Sequence, residues 1–343
     1  MNLVRPIVVG LHGTELTPTE QKWLPQLMPY GVILFSRNIE SKTQVKALTN
    51  QVIEKIGSDA VVLVDQEGGR VQRLKSPKWP DLPSALQIGK LWRVNQFAGL
   101  EAANLLGQVI GSTLAELRIT HTCAPVIDLL HSEADPVIGD RAFGVTPAEV
   151  IPLATSFLNG LNQSGVTGIL KHIPGMGRVT KDSHNTLPVI GCSTEILSQS
   201  DWLPFKAVSG THWAMTAHVV ISGWDSEPVT TSALSVLRIK ELIGNYFLIS
   251  DCLTMGAIQG SIETRVRKTL DAGVNLALFS NGSDAERCSA VFAAGEPRLF
   301  RDDSKVLHSL SSEQMDIRLQ KLSIHLTAQK KTKDPTRDQS SQQ

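Results

Sequence analysis

Residues 31–65 read GVILF (31–35), SRNIES (36–41), KTQVKALTNQVIEKI (42–56), GSD (57–59) and AVVLVD (60–65). Two short apolar runs flank a longer amphipathic stretch, the pattern of strand, helix, strand. Strands that alternate with helices in this way belong to a parallel sheet. Working outward, further apolar runs at 7–11, 120–124, 168–172, 213–217, 247–251 and 276–279 bring the expected strand count to eight. Helical patterns at 97–117, 147–161, 232–243 and 262–272 lie between them, weakened locally by Gly107, Gly111 and Gly160. Eight such strands predict an α/β fold, a single-domain (β/α)8 TIM-type barrel, over an open sheet. Irregular strands are allowed for, because a short apolar run reads equally as strand or buried helix. Nothing divides the chain in two and no internal repeat is visible. Residues 1–328 are expected to form one barrel domain, and 329–343, rich in Lys, Ser and Gln, a disordered tail.

The 343 residues suit one large barrel. Hydrophobic residues make up 41% and charged residues 19%, as in a soluble globular protein. Lys+Arg and Asp+Glu both total 33, so the basic footprint of a nucleic-acid binder is missing. The cysteines, Cys123, Cys192, Cys252 and Cys288, form no C-x-x-C pair, which argues against a zinc ribbon or a disulfide scaffold. The apolar run near the N-terminus is too short for a signal peptide, and no stretch approaches the ~20 apolar residues of a membrane span. A cytoplasmic protein is expected, with no nucleic-acid or membrane partner, and a monomer is favoured over an oligomer.

In a barrel, strand C-termini form one face, where active sites are built. Asp65, Lys171, His172, His218 and Asp251 all fall at expected strand ends. In Asp65 to Arg73 (DQEGGRVQR) a strand ends in a carboxylate, followed by a Gly-Gly turn and two arginines. Carboxylates accept sugar hydroxyls and arginines donate to them, though Asp65 as a cap and an Arg70–Glu67 pair would serve a plain turn. Arg141 sits in a glycine-bounded loop, as a ligand or a solvated cation. Lys171 and His172 open a loop turned by Pro174, Gly175 and Gly177. His172 also fits a core histidine bonded to a carbonyl. Further along that loop, Asp182 and His184 are two apart and face the same way if the segment is extended. An aspartate there favours the imidazolium and orients the ring for proton transfer. Asp251 ends the run at 247–251, either as a helix N-cap or as a nucleophile.

Taken in order, DQEGGRVQR (65–73), GDRAFG (139–144), KHIPGMGRVTKDSH (171–184) and SDCLTM (250–255) resemble the bacterial β-N-acetylglucosaminidases of glycoside hydrolase family 3, which act in cell-wall recycling. GVILFSRN (31–38) and Ala217-His218 also look like family segments. The resemblance spans about residues 5 to 290. It implies a single-domain catalytic barrel that removes terminal β-linked N-acetylglucosamine from muropeptide fragments carrying anhydro-N-acetylmuramic acid. It further implies Asp251 as nucleophile, Asp182 and His184 as the acid/base dyad, and Asp65, Arg73, Arg141, Lys171 and His172 as sugar-binding residues, with no cofactor and no metal. The chain departs from the family at Ile173, usually Phe, at Met176, usually His, and at Cys252, often Asp.

A retaining mechanism needs an anionic nucleophile and a separate proton donor. Glycosidases that use the substrate's acetamido group instead usually show an Asp-Glu pair, and no Asp-Glu dipeptide occurs here. Other readings are a zinc hydrolase using His172, His184, His218 and Asp251, a β-glucosidase of the same family, and a non-catalytic sugar-binding protein.

Overall fold

The computed structural model describes residues 3–299 and 306–331. Eight staves form its centre: β1 (Leu3–Gly10), β2 (Pro29–Leu34), β3 (Val61–Val64), β4 (His121–Thr122), β5 (Thr167–Gly168 and Leu170–Ile173), β6 (Trp213–Thr216), β7 (Phe247–Cys252) and β8 (Leu276–Phe279). Each pairs in parallel with its neighbours, and β8 returns to β1 through Ile7↔Ala277, Val8↔Leu278 and Val9↔Phe279. The ring is irregular at β5. Its first piece pairs with β4 and its second with β6, so counted piecewise there are nine parallel strands. Between the pieces the Ile169 N–H donates to the carbonyls of Thr122 (3.0 Å) and Ala124 (2.9 Å), which keeps the seam closed.

The staves are apolar on both faces, which is why they read as continuous hydrophobic runs. Val8, Ile33, Leu63, Ile169, Met215, Ile249 and Leu278 point into the barrel and pack on one another. Their sequence neighbours Ile7, Val9, Val32, Leu34, Val62, Val64 and Leu248 point outward and pack in the larger core outside the barrel. Trp213 sits against Phe247 (4.4 Å between ring centroids) and His121 (4.7 Å) at the strand N-termini. The expected helix at 42–56 forms as Lys42–Ile56. Ser41 caps its start by accepting from the Gln44 N–H, and Gly57 ends it at φ 123°.

Several helices were not expected from the sequence: Pro18–Leu27, Ala85–Val94, Asp284–Ala293 and Ser312–Lys331. The first three begin with capping boxes, Thr17/Glu20, Ser84/Gln87 and Ser283/Glu286. The last lies along the helix Gln96–Glu116, joined to it by His325–Glu101 at 3.0 Å and by Arg318 to Gln108. Of the expected tail, 332–343 lies outside the described residues.

Candidate active site

Five charged side chains interlock beside the barrel mouth. Strand β3 hands over to a short hairpin (Gln66–Gly68 and Val71–Gln72), and Asp65 and Glu67 lie at that junction. Lys171, on β5 and almost wholly buried, donates to Glu67 Oε1 at 2.6 Å and to Asp65 Oδ1 at 3.3 Å. Arg141 grips Glu67 with two parallel bonds, Nε–Oε2 and Nη2–Oε1, both 2.9 Å. Arg73 completes the set through Asp65 Oδ2 at 3.0 Å. Burial pushes both carboxyls up, but the surrounding cations outweigh it and hold Asp65 and Glu67 below their ordinary values. Conversely, burial pulls Lys171 and Arg141 down and the carboxylates more than restore them, to above their usual ranges.

These shifts have a consequence for stability. The carboxylates' contribution is complete above the unfolded pKa, about 4, and is lost as the pH falls through the lower folded value. Lys171→Met leaves Glu67 and Asp65 short of a buried partner and is expected to cost about 3 kcal/mol at pH 7. Denaturant unfolding from pH 7 down to about pH 2 checks it. The deficit should hold to about pH 4 and narrow below it, because the wild type then loses the bonds that the variant already lacks. A deficit that stays constant would place the effect in packing.

Asp251 lies in β7, and the next helix, Ile262–Asp271, is capped by Ser261. Asp251 is therefore not a helix cap. Its carboxylate takes one hydrogen bond from the described residues, from the Cys252 N–H to Oδ1 at 2.7 Å, so Oδ2 has no hydrogen-bond partner among them, and the residue lines a cavity. Burial pushes this carboxyl up, but His218, His172, the Cys252 N–H and Lys171 together hold it below its usual value. His218 is fully buried behind it, bonded to Thr230 Oγ1 (2.8 Å) and to the Cys252 carbonyl (3.1 Å). His172 is bonded to Asp128, its Nδ1 lying 2.7 Å from Oδ2, and not to a carbonyl. Asp128 also accepts from the backbone N–H of His172 (3.1 Å) and of Met176 (2.8 Å). At the departure positions, Ile173 and Met176 are buried, and Cys252 Sγ sits 2.7 Å from Ser280 Oγ.

The loop after β5 is pinned along its first half. Besides Met176 on Asp128, Arg178 binds Asp201 at 2.7 Å and the Val179 carbonyl accepts from the Asp135 N–H at 2.7 Å. Beyond it, Asp182 and His184 do meet, but across a turn and not along an extended segment. Asp182 Oδ1 takes the His184 N–H (2.9 Å) and lies 2.7 Å from His184 Nδ1, while the Asp182 carbonyl accepts from Asn185 and Thr186. Burial raises Asp182 and the His184 bonds lower it, with the lowering ahead. With Nδ1 turned to Asp182, Nε2 is the free ring nitrogen, and the side chain is 63% exposed, open to exchange protons with water.

One cavity of about 660 Å³ gathers Asp65, Arg73, Arg141, Lys171, His172, Asp182, His184 and Asp251. The eight residues to which the resemblance gives a role thus share a single space, while His218, also expected at a strand end, does not line it. Two sequence alternatives fail. Arg70 pairs with Asp140 (2.8 Å) and not with Glu67, and Arg141 is an ion-paired, nearly buried group and not a solvated cation. The proposed zinc set does not converge: among the described residues, no group of three or more His, Cys, Asp or Glu could hold a metal ion. Glu67 and Asp128 hold Lys171, Arg141, His172 and Met176 in place and were not singled out for this in the sequence.

The profile of the glycosyl hydrolase family 3 N-terminal domain matches residues 5–304. The chain belongs to glycosyl hydrolase family 3. As a family 3 chain it is a glycoside hydrolase. It is 35% identical over 288 residues to a protein named Beta-hexosaminidase from Glaesserella parasuis serovar 5 (strain SH0165), covering 81% of each chain. A Beta-hexosaminidase from Thiobacillus denitrificans (strain ATCC 25259 / T1) is 33% identical over 282 residues, covering 80% of this chain and 78% of that one. Among solved structures, NagZ from Neisseria gonorrhoeae in complex with N-trifluoroacetyl-D-glucosamine superposes with a TM-score of 0.80 at 28% identity, covering 95% of this chain and 98% of that one.

Proposed function

We propose that this family 3 hydrolase is a retaining exo-β-N-acetylhexosaminidase. The observation that carries the proposal is the shared cavity, with Asp251 and the Asp182–His184 pair lining it beside the Asp65–Glu67–Lys171–Arg141–Arg73 cluster. Its size falls within the ~300–1,000 Å³ of small-molecule sites. Asp65, Arg73, Arg141, Lys171 and His172 hold the hydroxyls of the terminal sugar. Asp251 Oδ2 attacks the anomeric carbon as the bond to the leaving oxygen breaks, and His184 Nε2 gives that oxygen a proton. Water then attacks the glycosyl-enzyme, His184 takes a proton from it, and the Asp251 ester bond breaks. Asp182 steadies the ring and its positive charge.

The sugar is proposed to be N-acetylglucosamine, in keeping with the names of the relatives and the molecule bound to the Neisseria NagZ. The natural substrate is proposed to be a muropeptide fragment bearing anhydro-N-acetylmuramic acid, met in the cytoplasm during peptidoglycan recycling. That rests on the motif resemblance. No helix among the described residues is long and apolar enough to cross a membrane. The test compares aryl N-acetyl-β-glucosaminide with aryl β-glucoside, then a muropeptide fragment with chitobiose. Faster release from the aryl glucoside would make the protein a β-glucosidase, binding without turnover would make it a sugar-binding protein, and equal rates on the last two substrates would remove the muropeptide preference.

Removal of a single sugar-holding group gives a third expected result. Arg141→Ala is expected to lower kcat/KM about 10- to 100-fold, since Glu67 keeps only Lys171 and a substrate donor disappears. Steady-state kinetics on the aryl N-acetylglucosaminide measure it, and unchanged KM and kcat would put Arg141 outside the site.

A further inference from the structure

The segment that follows Asp251 does something that the mechanism above leaves unused. From Cys252 the chain turns back on itself, with Met255 N–H donating to the Cys252 carbonyl (3.0 Å) and Ile258 N–H to the Met255 carbonyl (3.3 Å). The turn is braced from outside by Arg265 on the Leu253 carbonyl (2.8 Å) and by His218 on the Cys252 carbonyl (3.1 Å). Its outer edge then meets the loop carrying Asp182 and His184. Gly256 N–H donates to the His184 carbonyl at 3.0 Å, and Ala257 N–H to the Ser183 carbonyl at 3.2 Å. Ser183 is buried under this contact, whereas Lys181 and His184 nearby are exposed.

Gly256 has no backbone need to be glycine, since it is not among the residues of positive φ. What counts is the missing side chain. A Cβ there would lie 2.8 Å from the His184 carbonyl oxygen and 3.0 Å from that of Asn185. Both are backbone atoms, so they cannot swing aside as a long side chain could. The first half of the loop is held elsewhere, through Met176, Arg178 and Val179. The stretch around His184 is tied down by the two bonds to 256–257.

We propose that Gly256 is a positioning residue for the acid/base. By letting the 182–185 turn dock on the turn that Asp251 leads into, it sets the separation between the proton donor and the nucleophile. The two groups then share one short, braced piece of backbone, in which Gly256 lies five residues from Asp251 and one hydrogen bond from His184. This inference rests on the reading of His184 as acid/base.

Gly256→Ala tests it, assayed beside His184→Ala on a poor leaving group (4-methoxyphenyl) and a good one (2,4-dinitrophenyl) of N-acetyl-β-glucosaminide. A displaced proton donor matters where protonation matters. Gly256→Ala is expected to lose roughly tenfold or more in kcat/KM on the poor leaving group, given how steeply rate depends on sub-ångström placement, and under about threefold on the good one. Azide should partly restore turnover of the dinitrophenyl substrate. Equal losses on both substrates, or none, overturn the latch. If His184→Ala itself fails to separate the two substrates, the acid/base reading falls. If His184→Ala separates them and Gly256→Ala does not, only the latch falls. Should the variant fold poorly, hydrogen exchange on the unaltered protein decides. Protected amides at Gly256 and Ala257 are expected, and exchange as fast as in the exposed residues at 180–181 overturns the docking.

Discussion

Asp251→Ala is expected to abolish turnover, by about 10⁴-fold or more, with little change in unfolding midpoint. The loss is large because the carboxylate is the group proposed to bond to the anomeric carbon, and three of the four other carboxylates lining the cavity are already engaged. Asp65 and Glu67 are locked to Lys171, Arg73 and Arg141, and Asp182 is turned to His184. The fold is expected to survive, since Asp251 makes only one hydrogen bond among the described residues, to its own neighbour. A 5-fluoro-type N-acetylglucosamine inactivator should add its glycosyl mass to the peptide containing Asp251. Labelling of another peptide, or retained activity in Asp251→Ala, would falsify the assignment. The carboxyl is held below its usual value, so it stays anionic until the pH falls through that lowered value. The acid limb of kcat/KM should therefore lie below about pH 4, the ordinary aspartate value.

Much of this was legible in the sequence because burial on both faces writes a plain signal. At β2, β3 and β8, and in β7 up to Ile249, inward and outward residues are apolar, and the runs at 31–35, 60–65, 247–251 and 276–279 fall on these strands within a residue or two. β4 is the weakest case, only His121–Thr122, because the chain there leaves the ladder and bonds across the seam to β5. Three of the four missed helices were announced by capping boxes, whose side-chain pattern occupies four residues and is easily passed over in a search for apolar periodicity. The site residues stood out where a charge ended an apolar run, as at Asp65, Lys171 and Asp251. Glu67 and Asp128 did not, for different reasons. Glu67 has Arg70 three residues away, and only the fold shows that Arg141 and Lys171, far along the chain, take it instead. Asp128 acts on the ring of His172 and the N–H of Met176, partners more than forty residues off, and no local pattern reports such contacts.

His184→Ala is expected to produce a loss that depends on the leaving group, on the order of 10²- to 10⁴-fold in kcat/KM for a poor one and far less for dinitrophenolate. The two steps ask different things of the imidazole. In the first, Nε2 must hand a proton to the departing oxygen, and dinitrophenolate hardly needs it. In the second, the same nitrogen must take a proton from water, whatever the leaving group was. With the dinitrophenyl substrate the variant should therefore accumulate glycosyl-enzyme, seen as a burst followed by slow turnover. Azide needs no base to attack, so it should speed that slow phase and yield the β-glycosyl azide. Asp182→Asn should show the same pattern in milder form, because it keeps the side-chain oxygen that accepts from the His184 N–H and loses only the charge that supports the protonated ring. Equal losses on good and poor leaving groups, with no burst and no azide product, would mean that the Asp182–His184 pair orders the loop and transfers no proton.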